Sequence, residues 1–363
     1  MAHPIPEVLQ AFALGEMVVV TDDDDREGEG DLIVAAAFCT AEKMAFIIRH
    51  TSGIVCAPIT TEDARRLRLD PMVMNNDSNH TTAFTVSIDY KPDNGTGISA
   101  DERASCCRAL ANPNAGANDF SRPGHIFPLI AREGGVLMRS GHTEAAVDLC
   151  KLANLAPVGV ISELMNDDGT VMKGQQVVDF AAKHGLKHVT IADMIAHRQA
   201  REKLIERVSS FITDSPIGPL QGYSYRSPFD PIHHVAFVYG HVGAGKNVLT
   251  RFHKPNIVKD IFFGPKHLQS VLEHFKKAGS GVLVYLRDGA AGVPVTPIDA
   301  PSSAEADRNK QWREIGVGAQ ILRDLGVTSI RNLSSSSHEY MGLSGFGIEI
   351  VCNEQLDGDT PKT

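Results

Sequence analysis

Apolar and polar positions in the first half of the chain fall into short blocks with two different periods. MVVVT, LIVAAAF, GIVCAPI, FTVSID and VGVISEL are strand-length and almost continuously apolar, as expected of strands covered on both faces. Between them lie AEKMAFIIRH, TEDARRLRL and TEAAVDLCKLANL, whose apolar residues recur at helical spacing. In the last of these Ala145, Leu149, Leu152 and Ala153 share one face, and Thr143 is placed as the N-cap. The first turn of that helix then points backbone N–H groups outward. From about residue 4 to 200 the pattern is that of an α/β or α+β fold.

AHRQAREKLIERV is dense in Arg, Lys and Glu, has few core positions, and reads as a polar helical connector. A boundary near Lys203 follows, with one domain over residues 1–202 and a second over 203–363. The second half opens on HHVAFVYG and KNVLTRFH, read as a strand pair around the turn HVGAG. A helix at HLQSVLEHFKKAG, a buried strand at GVLVYL and a helix at VGAQILRDLG complete a second α/β domain. DGAAGVPVTPIDAPSSAEADRNK, between Asp288 and Lys310, has no period and reads as a long loop. Gly240–Asn247 matches G-x-x-x-x-G-K but ends in Asn247, where a phosphate loop needs a Ser or Thr hydroxyl. Flanked by two strand-like runs, it reads as a β-hairpin turn.

A chain of 363 residues suits two cores, and 42% hydrophobic with 22% charged residues is the balance of a folded globular protein. The net charge of −9 argues against nucleic acid as a partner. No apolar run approaches the roughly 18–20 residues that span a bilayer, and no basic segment precedes an apolar one at the N-terminus, so the expected location is the cytoplasm. The six cysteines show no C-x-x-C spacing and are expected to be reduced thiols.

The densest chemical signal is Thr21–Asp31, TDDDDREGEGD. Its plainest reading is a solvated acidic loop. Against that, Gly28 and Gly30 alternate with Glu27, Glu29 and Asp31, so a flexible backbone can aim several carboxylates at one point, and Arg26 adds an anion fork. Clustered hard oxygen donors suit Mg²⁺ or Mn²⁺. Arg139-Ser140-Gly141-His142-Thr143 opens the amphipathic helix and forms an anion site from free N–H groups, the helix dipole and a guanidinium. In FSRPGHIFP, His125 follows a Pro-Gly turn that would fix its ring for acid–base work. Glu163 ends the run VGVIS, where partial burial would raise its pKa, and Cys56 lies in an apolar run as a small core residue.

DDDDREGEGD, RHTSGIVCAPI, HTTAFTVSID, GTGISADERA, FSRPGHIFPL, RSGHTEAAVDL and GVISELMNDDG, in that order, closely resemble the 3,4-dihydroxy-2-butanone-4-phosphate synthases of riboflavin biosynthesis, over about residues 5–200. The resemblance implies an α+β domain that works as a homodimer. It also implies a Mg²⁺- or Mn²⁺-dependent lyase that turns D-ribulose 5-phosphate into L-3,4-dihydroxy-2-butanone 4-phosphate and formate. By position in the motifs it implies Glu27 and His142 as metal ligands, and Arg26, Asp31 and Arg139–Thr143 as substrate contacts. His125 and Glu163 match the positions essential for catalysis, with Glu29, Cys56 and Thr96 in the remaining active-site shell. The family usually has Asn at Gly28, a departure that removes no ligand.

The second half resembles GTP cyclohydrolase II in VAFVYG, NVLTRFH, GSGVLVYLRD and LRDLGVTSIRNLSS. That α/β domain needs three cysteines to hold a catalytic zinc. Here Asn256 stands at the first position, IFFG runs directly into PKHLQS without the Cys-x-Cys pair, and DGAAGVPV replaces the Arg-bearing segment. Cys352 is the only cysteine after Cys150, so no zinc is expected in this domain and GTP hydrolysis is expected to be lost. Oligomerisation, regulation and docking of another enzyme of the pathway remain open as its role.

Overall fold

The near-continuous apolar runs are strands with helices on both sides. In the computed structural model, which describes residues 2–22, 28–78, 81–93, 95–227, 230–253, 266–287, 316–334 and 347–356, the chain divides into two units, 1–197 and 198–363. The first is built on a seven-stranded sheet of order β4-β5-β3-β6-β2-β1-β7. Its strands are β1 (Val18–Thr21), β2 (Gly30–Ala35), β3 (Cys56–Ile59), β4 (Ile88–Tyr90), β5 (Phe120–Ile130), β6 (Gly159–Glu163) and β7 (Lys187–Thr190). The sheet is mixed: β1/β2, β2/β6, β3/β6 and β4/β5 run antiparallel, whereas β1/β7 and β3/β5 run parallel.

Alternation along β2 sorts the two cores. Leu32 and Val34 face a layer containing α2 (Ala41–His50), α3 (Thr61–Arg66), α4 (Ala100–Leu110) and α6 (Gln175–His184). Ile33 and Ala35 face α1 (Ile5–Ala13), α5 (His142–Leu152) and the first part of α7 (Ile191–Arg201). Both faces being covered, the strands need no polar side. Helix α5 is buried from His142 through Cys150, and Gly159 of β6 lets it approach, since a Cβ there would lie 2.8 Å from the Ala146 methyl.

Several expectations change in this unit. The N-cap of α5 is Gly141, in an extended conformation without a side-chain cap, and Thr143 lies inside the first turn. Pro123 and Gly124 lie within strand β5 and form no turn. The strand register shifts between Ile88 and Asp89, and Gly124 passes so close that a Cβ would sit 2.0 Å from the Ile88 carbonyl carbon. Of FTVSID only Ile88 and Asp89 enter a strand, because Phe84 makes an isolated bridge to Leu129. The connector is not one helix: α7 stops at Arg201 and a strand begins at Glu206.

The second unit has a seven-stranded sheet of order β14-β13-β11-β12-β10-β9-β8. It contains β8 (Glu206–Thr213), β9 (Leu220–Ser227), β10 (Asp230–Tyr239), β11 (Val248–His253), β12 (Gly281–Tyr285), β13 (Ser329–Ser334) and β14 (Glu349–Gln355). Helices α8 (Lys266–Ala278) and α9 (316–324) connect the parallel strands β11, β12 and β13. The expected β10/β11 hairpin is absent, because β12 lies between those strands. The glycine-rich turn packs elsewhere: the Gly245 carbonyl accepts the N–H groups of Thr328 and Ser329, and a Cβ on Gly245 would lie 1.9 Å from the Gly326 oxygen. The loop expected between Asp288 and Lys310, and the segments around Asn256 and DGAAGVPV, lie outside the described residues.

Candidate active site

Two carboxylates face the same cleft because two strands pair antiparallel in one register. Asp31 of β2 stands directly opposite Glu163 at the end of β6. Cys56 of β3 pairs with Ile161 beside them, and the start of α5 brings His142 and Thr143. Together with Ile54, Thr82, Phe84, Leu129, Arg139 and Ser162, these side chains line a single cleft. Asp31 is buried, whereas Glu163 is exposed at the mouth, because β6 ends there; the partial burial expected for Glu163 is not observed.

His142 is also buried, with Nε2 3.2 Å from the Val20 carbonyl and Nδ1 3.7 Å from Asp31 Oδ1. A carbonyl only accepts, so Nε2 is assigned the proton, and Nδ1 is directed toward the carboxylate. An imidazole lone pair beside buried oxygen donors is chemistry that suits a divalent cation. Cys56 reports the same field: burial first, then the charges of Asp31 and Glu163, push its thiol far up. It lines the cleft as a neutral thiol.

Arg139 comes from the loop before α5. Its Nη1 donates to Glu144 Oε2 at 2.7 Å, and Nη2 lies 3.3 Å from Thr82 Oγ1. The pair crosses over Gly141, where a Cβ would lie 2.2 Å from Nη1. Gly141 is therefore fixed by this crossing and leaves the first N–H groups of α5 uncapped. Guanidinium and helix N-terminus then converge at one end of the cleft, an arrangement whose charge and donors suit a phosphate.

Other expected residues are elsewhere. His125, on β5, donates its backbone N–H to Asp89 Oδ1 and places Nδ1 against Asp89 Oδ2, both at 2.8 Å. Thr96 lies in the loop whose Gly97 packs on that same carboxylate. Neither lines the cleft described above. Glu29 is paired with Lys173 at 3.2 Å, and Ser140 is buried at the loop end. Arg26 and Glu27 lie outside the described residues, among which no group of three or more His, Cys, Asp or Glu side chains forms a metal cluster. Sequence reasoning missed Thr82, Asp89 and Glu144. All three lie inside quoted motifs, Thr82 and Asp89 in HTTAFTVSID and Glu144 in RSGHTEAAVDL, and none is singled out there because its partner is distant in the chain or in the loop before the helix.

A cleft with two carboxylates, a buried imidazole and an Arg-flanked helix N-terminus has the chemistry suited to acid–base work on a small phosphorylated molecule. The 3,4-dihydroxy-2-butanone 4-phosphate synthase family matches residues 6–197, and the GTP cyclohydrolase II family matches residues 206–355. The chain belongs to the 3,4-dihydroxy-2-butanone 4-phosphate synthases, lyases of riboflavin biosynthesis, with a second half of the GTP cyclohydrolase II family. It is 43% identical to the bifunctional riboflavin biosynthesis protein RIBA 1, chloroplastic, of Arabidopsis thaliana, over 96% of this chain and 68% of that protein. It is 42% identical to the monofunctional RIBA 2, chloroplastic, of the same plant, over 95% of this chain and 75% of that one.

Among solved structures it resembles RibBX, a two-domain 3,4-dihydroxy-2-butanone 4-phosphate synthase from A. baumannii (35% identity, TM-score 0.82, 96% of this chain and 99% of that one). A 3,4-dihydroxy-2-butanone 4-phosphate synthase in complex with two magnesium ions is 49% identical, with TM-score 0.54, over 55% of this chain and 98% of that one. No helix among the described residues is long and apolar enough to cross a membrane.

Proposed function

We propose that the first unit converts D-ribulose 5-phosphate to L-3,4-dihydroxy-2-butanone 4-phosphate and formate in this cleft, and that the second unit does not hydrolyse GTP. The observation that carries the first clause is the convergence of Asp31, Glu163, His142 and Arg139 on one cleft. Arg139 and the N–H groups of His142 and Thr143 in the first turn of α5 hold the phosphate, the Gly141 N–H being bonded to the Arg139 carbonyl, and so fix the sugar along the cleft. Asp31 binds a sugar hydroxyl, and Glu163, exposed at the mouth, takes the C3 proton and later returns one. Glu27 and His142 would hold Mg²⁺ or Mn²⁺, which supplies charge stabilisation to an ionising hydroxyl and its carbonyl. Cys56 is a wall of the cleft, and Glu29, tied to Lys173, braces the entry to β2.

The working form is a homodimer through the first unit. His125 lies outside the cleft of its own chain, with its ring 40% exposed and oriented by Asp89, and a second copy is the means of bringing this acid–base group to a cleft. Exposed Ile54, Met72, Val73 and Met74 offer apolar surface for that contact. The cytoplasm is the proposed location. The test is formate release from ribulose 5-phosphate with Mg²⁺. Glu163→Gln is expected to lower turnover by roughly 10²–10⁴-fold without loss of fold; unchanged turnover in that variant removes Glu163 from the scheme.

A further inference from the structure

Two buried carboxylates on α5 bond to a single loop. Glu144 and Asp148 lie one helical turn apart and are 1% and 3% exposed. Glu144 Oε1 accepts the Arg132 N–H at 3.0 Å, while Oε2 accepts Arg139 Nη1 at 2.7 Å. Asp148 Oδ2 accepts the Val136 N–H at 2.8 Å, and its carboxylate fills the place of a side chain at Gly135, where a Cβ would lie 2.1 Å from Oδ1. The loop from Arg132 to Arg139 is thus held at its start, its middle and its guanidinium end. Its glycines Gly134 and Gly135, at φ +89° and +63°, take the left-handed backbone that this path requires. Burying carboxylates is costly unless every oxygen is used, and these are used to fix where one arginine stands.

Resting on the reading of Arg139 as the phosphate contact, we propose that Glu144 is a positioning residue for substrate binding. It fixes the Arg139 guanidinium across Gly141 and beside the N-terminus of α5, with Thr82 Oγ1 steadying the other arm. The charge of Glu144 matters less than its two acceptors. A glutamine in its place presents an NH₂ to one of two donors, Arg132 N–H or Arg139 Nη1, and must lose one bond whichever way it turns. An arginine released from this clamp loses its preset direction, so the phosphate must order it on binding. The expected signature lies in substrate affinity, with the chemistry after binding left nearly intact.

The test compares Glu144→Gln, Arg139→Ala and the double variant by kcat and KM for ribulose 5-phosphate, and by the rise in unfolding temperature that inorganic phosphate gives. Glu144→Gln is expected to raise KM roughly tenfold or more with kcat within about threefold, and to abolish the phosphate-induced rise. In the Arg139→Ala background it should add less than about twofold, because the two residues act as one unit. If Arg139→Ala itself leaves KM unchanged, the phosphate reading fails and the proposal with it. If Arg139→Ala raises KM but Glu144→Gln lowers only kcat, or multiplies its full effect onto the arginine variant, the phosphate reading stands and the positioning role is overturned. Should Glu144→Gln not fold, Glu144→Asp, whose stem is one methylene too short to meet Arg132 N–H and Arg139 Nη1 together, is read against the same criteria.

Discussion

At the scale of single residues, the cleft separates side chains that react from side chains that only line it. Cys56 shares the cleft with Asp31 and Glu163, yet its burial and their charges hold it as a thiol. Alkylation requires the thiolate. With iodoacetamide at roughly pH 8, the native protein is expected to take up label first at Cys352, the one exposed thiol, while Cys56 stays unmodified until the chain unfolds. Peptide mapping by mass spectrometry checks this, and early label on Cys56 would show an open, less negative cleft. The apolar run alone reads Cys56 as a small core residue and only the family resemblance puts it in the active-site shell, because the carboxylates that act on it come from strands far away in the chain. His125 shows the same limit from the other side. Its motif was readable, whereas its partner Asp89 is set by strand pairing, with the two residues 36 positions apart.

At the scale of elements, buried strands and amphipathic helices were legible wherever one period dominated. β1, β2, β3, β6, α2 and α5 follow directly from their apolar runs or stripes. Helix α4 was missed because Ala and Cys make a weak stripe, although Ser99 and Glu102 form a capping box that marks its start. Strand β5 was hidden by Pro123 and Gly124, residues that usually end strands. Structure gives the reason for that exception. Gly124 N–H donates to Ser87 Oγ at 3.1 Å, and the missing Cβ lets β4 and β5 cross closely enough to bring Asp89 to His125. Gly124→Ala would drive a methyl to within 2.0 Å of Ile88 backbone, which cannot swing aside as a side chain can. It is expected to destabilise the first unit by about 3 kcal/mol or more. Denaturant unfolding measures the loss, and a change below about 0.5 kcal/mol would mean that the strands separate without cost.

At the scale of the whole molecule, two family frameworks follow one another in the chain, and five of the six cysteines lie in the first unit. The first unit keeps its strand-end carboxylates, its buried imidazole and its arginine at a helix start. The second, with Cys352 as its one cysteine, has a seven-stranded sheet and its own hydrophobic clusters. A framework stands without zinc ligands because its core depends on apolar volume, whereas an open zinc site depends on three or four named ligands. Relatives of nearly equal identity, one bifunctional and one monofunctional, show that overall similarity does not decide the question. The ligands do, and Cys352, the sole cysteine of the second half, lies on edge strand β14 with its thiol exposed. Purified protein dialysed against Zn²⁺ is accordingly expected to retain less than about one tenth of an ion per chain, since no thiolate set is present to hold it. It is also expected to release formate from ribulose 5-phosphate with Mg²⁺ and none from GTP with Zn²⁺. Stoichiometric zinc together with formate from GTP would overturn the reading and show that other donors have taken the place of the cysteines. Bound zinc without activity would instead mark a metal site separated from its reaction.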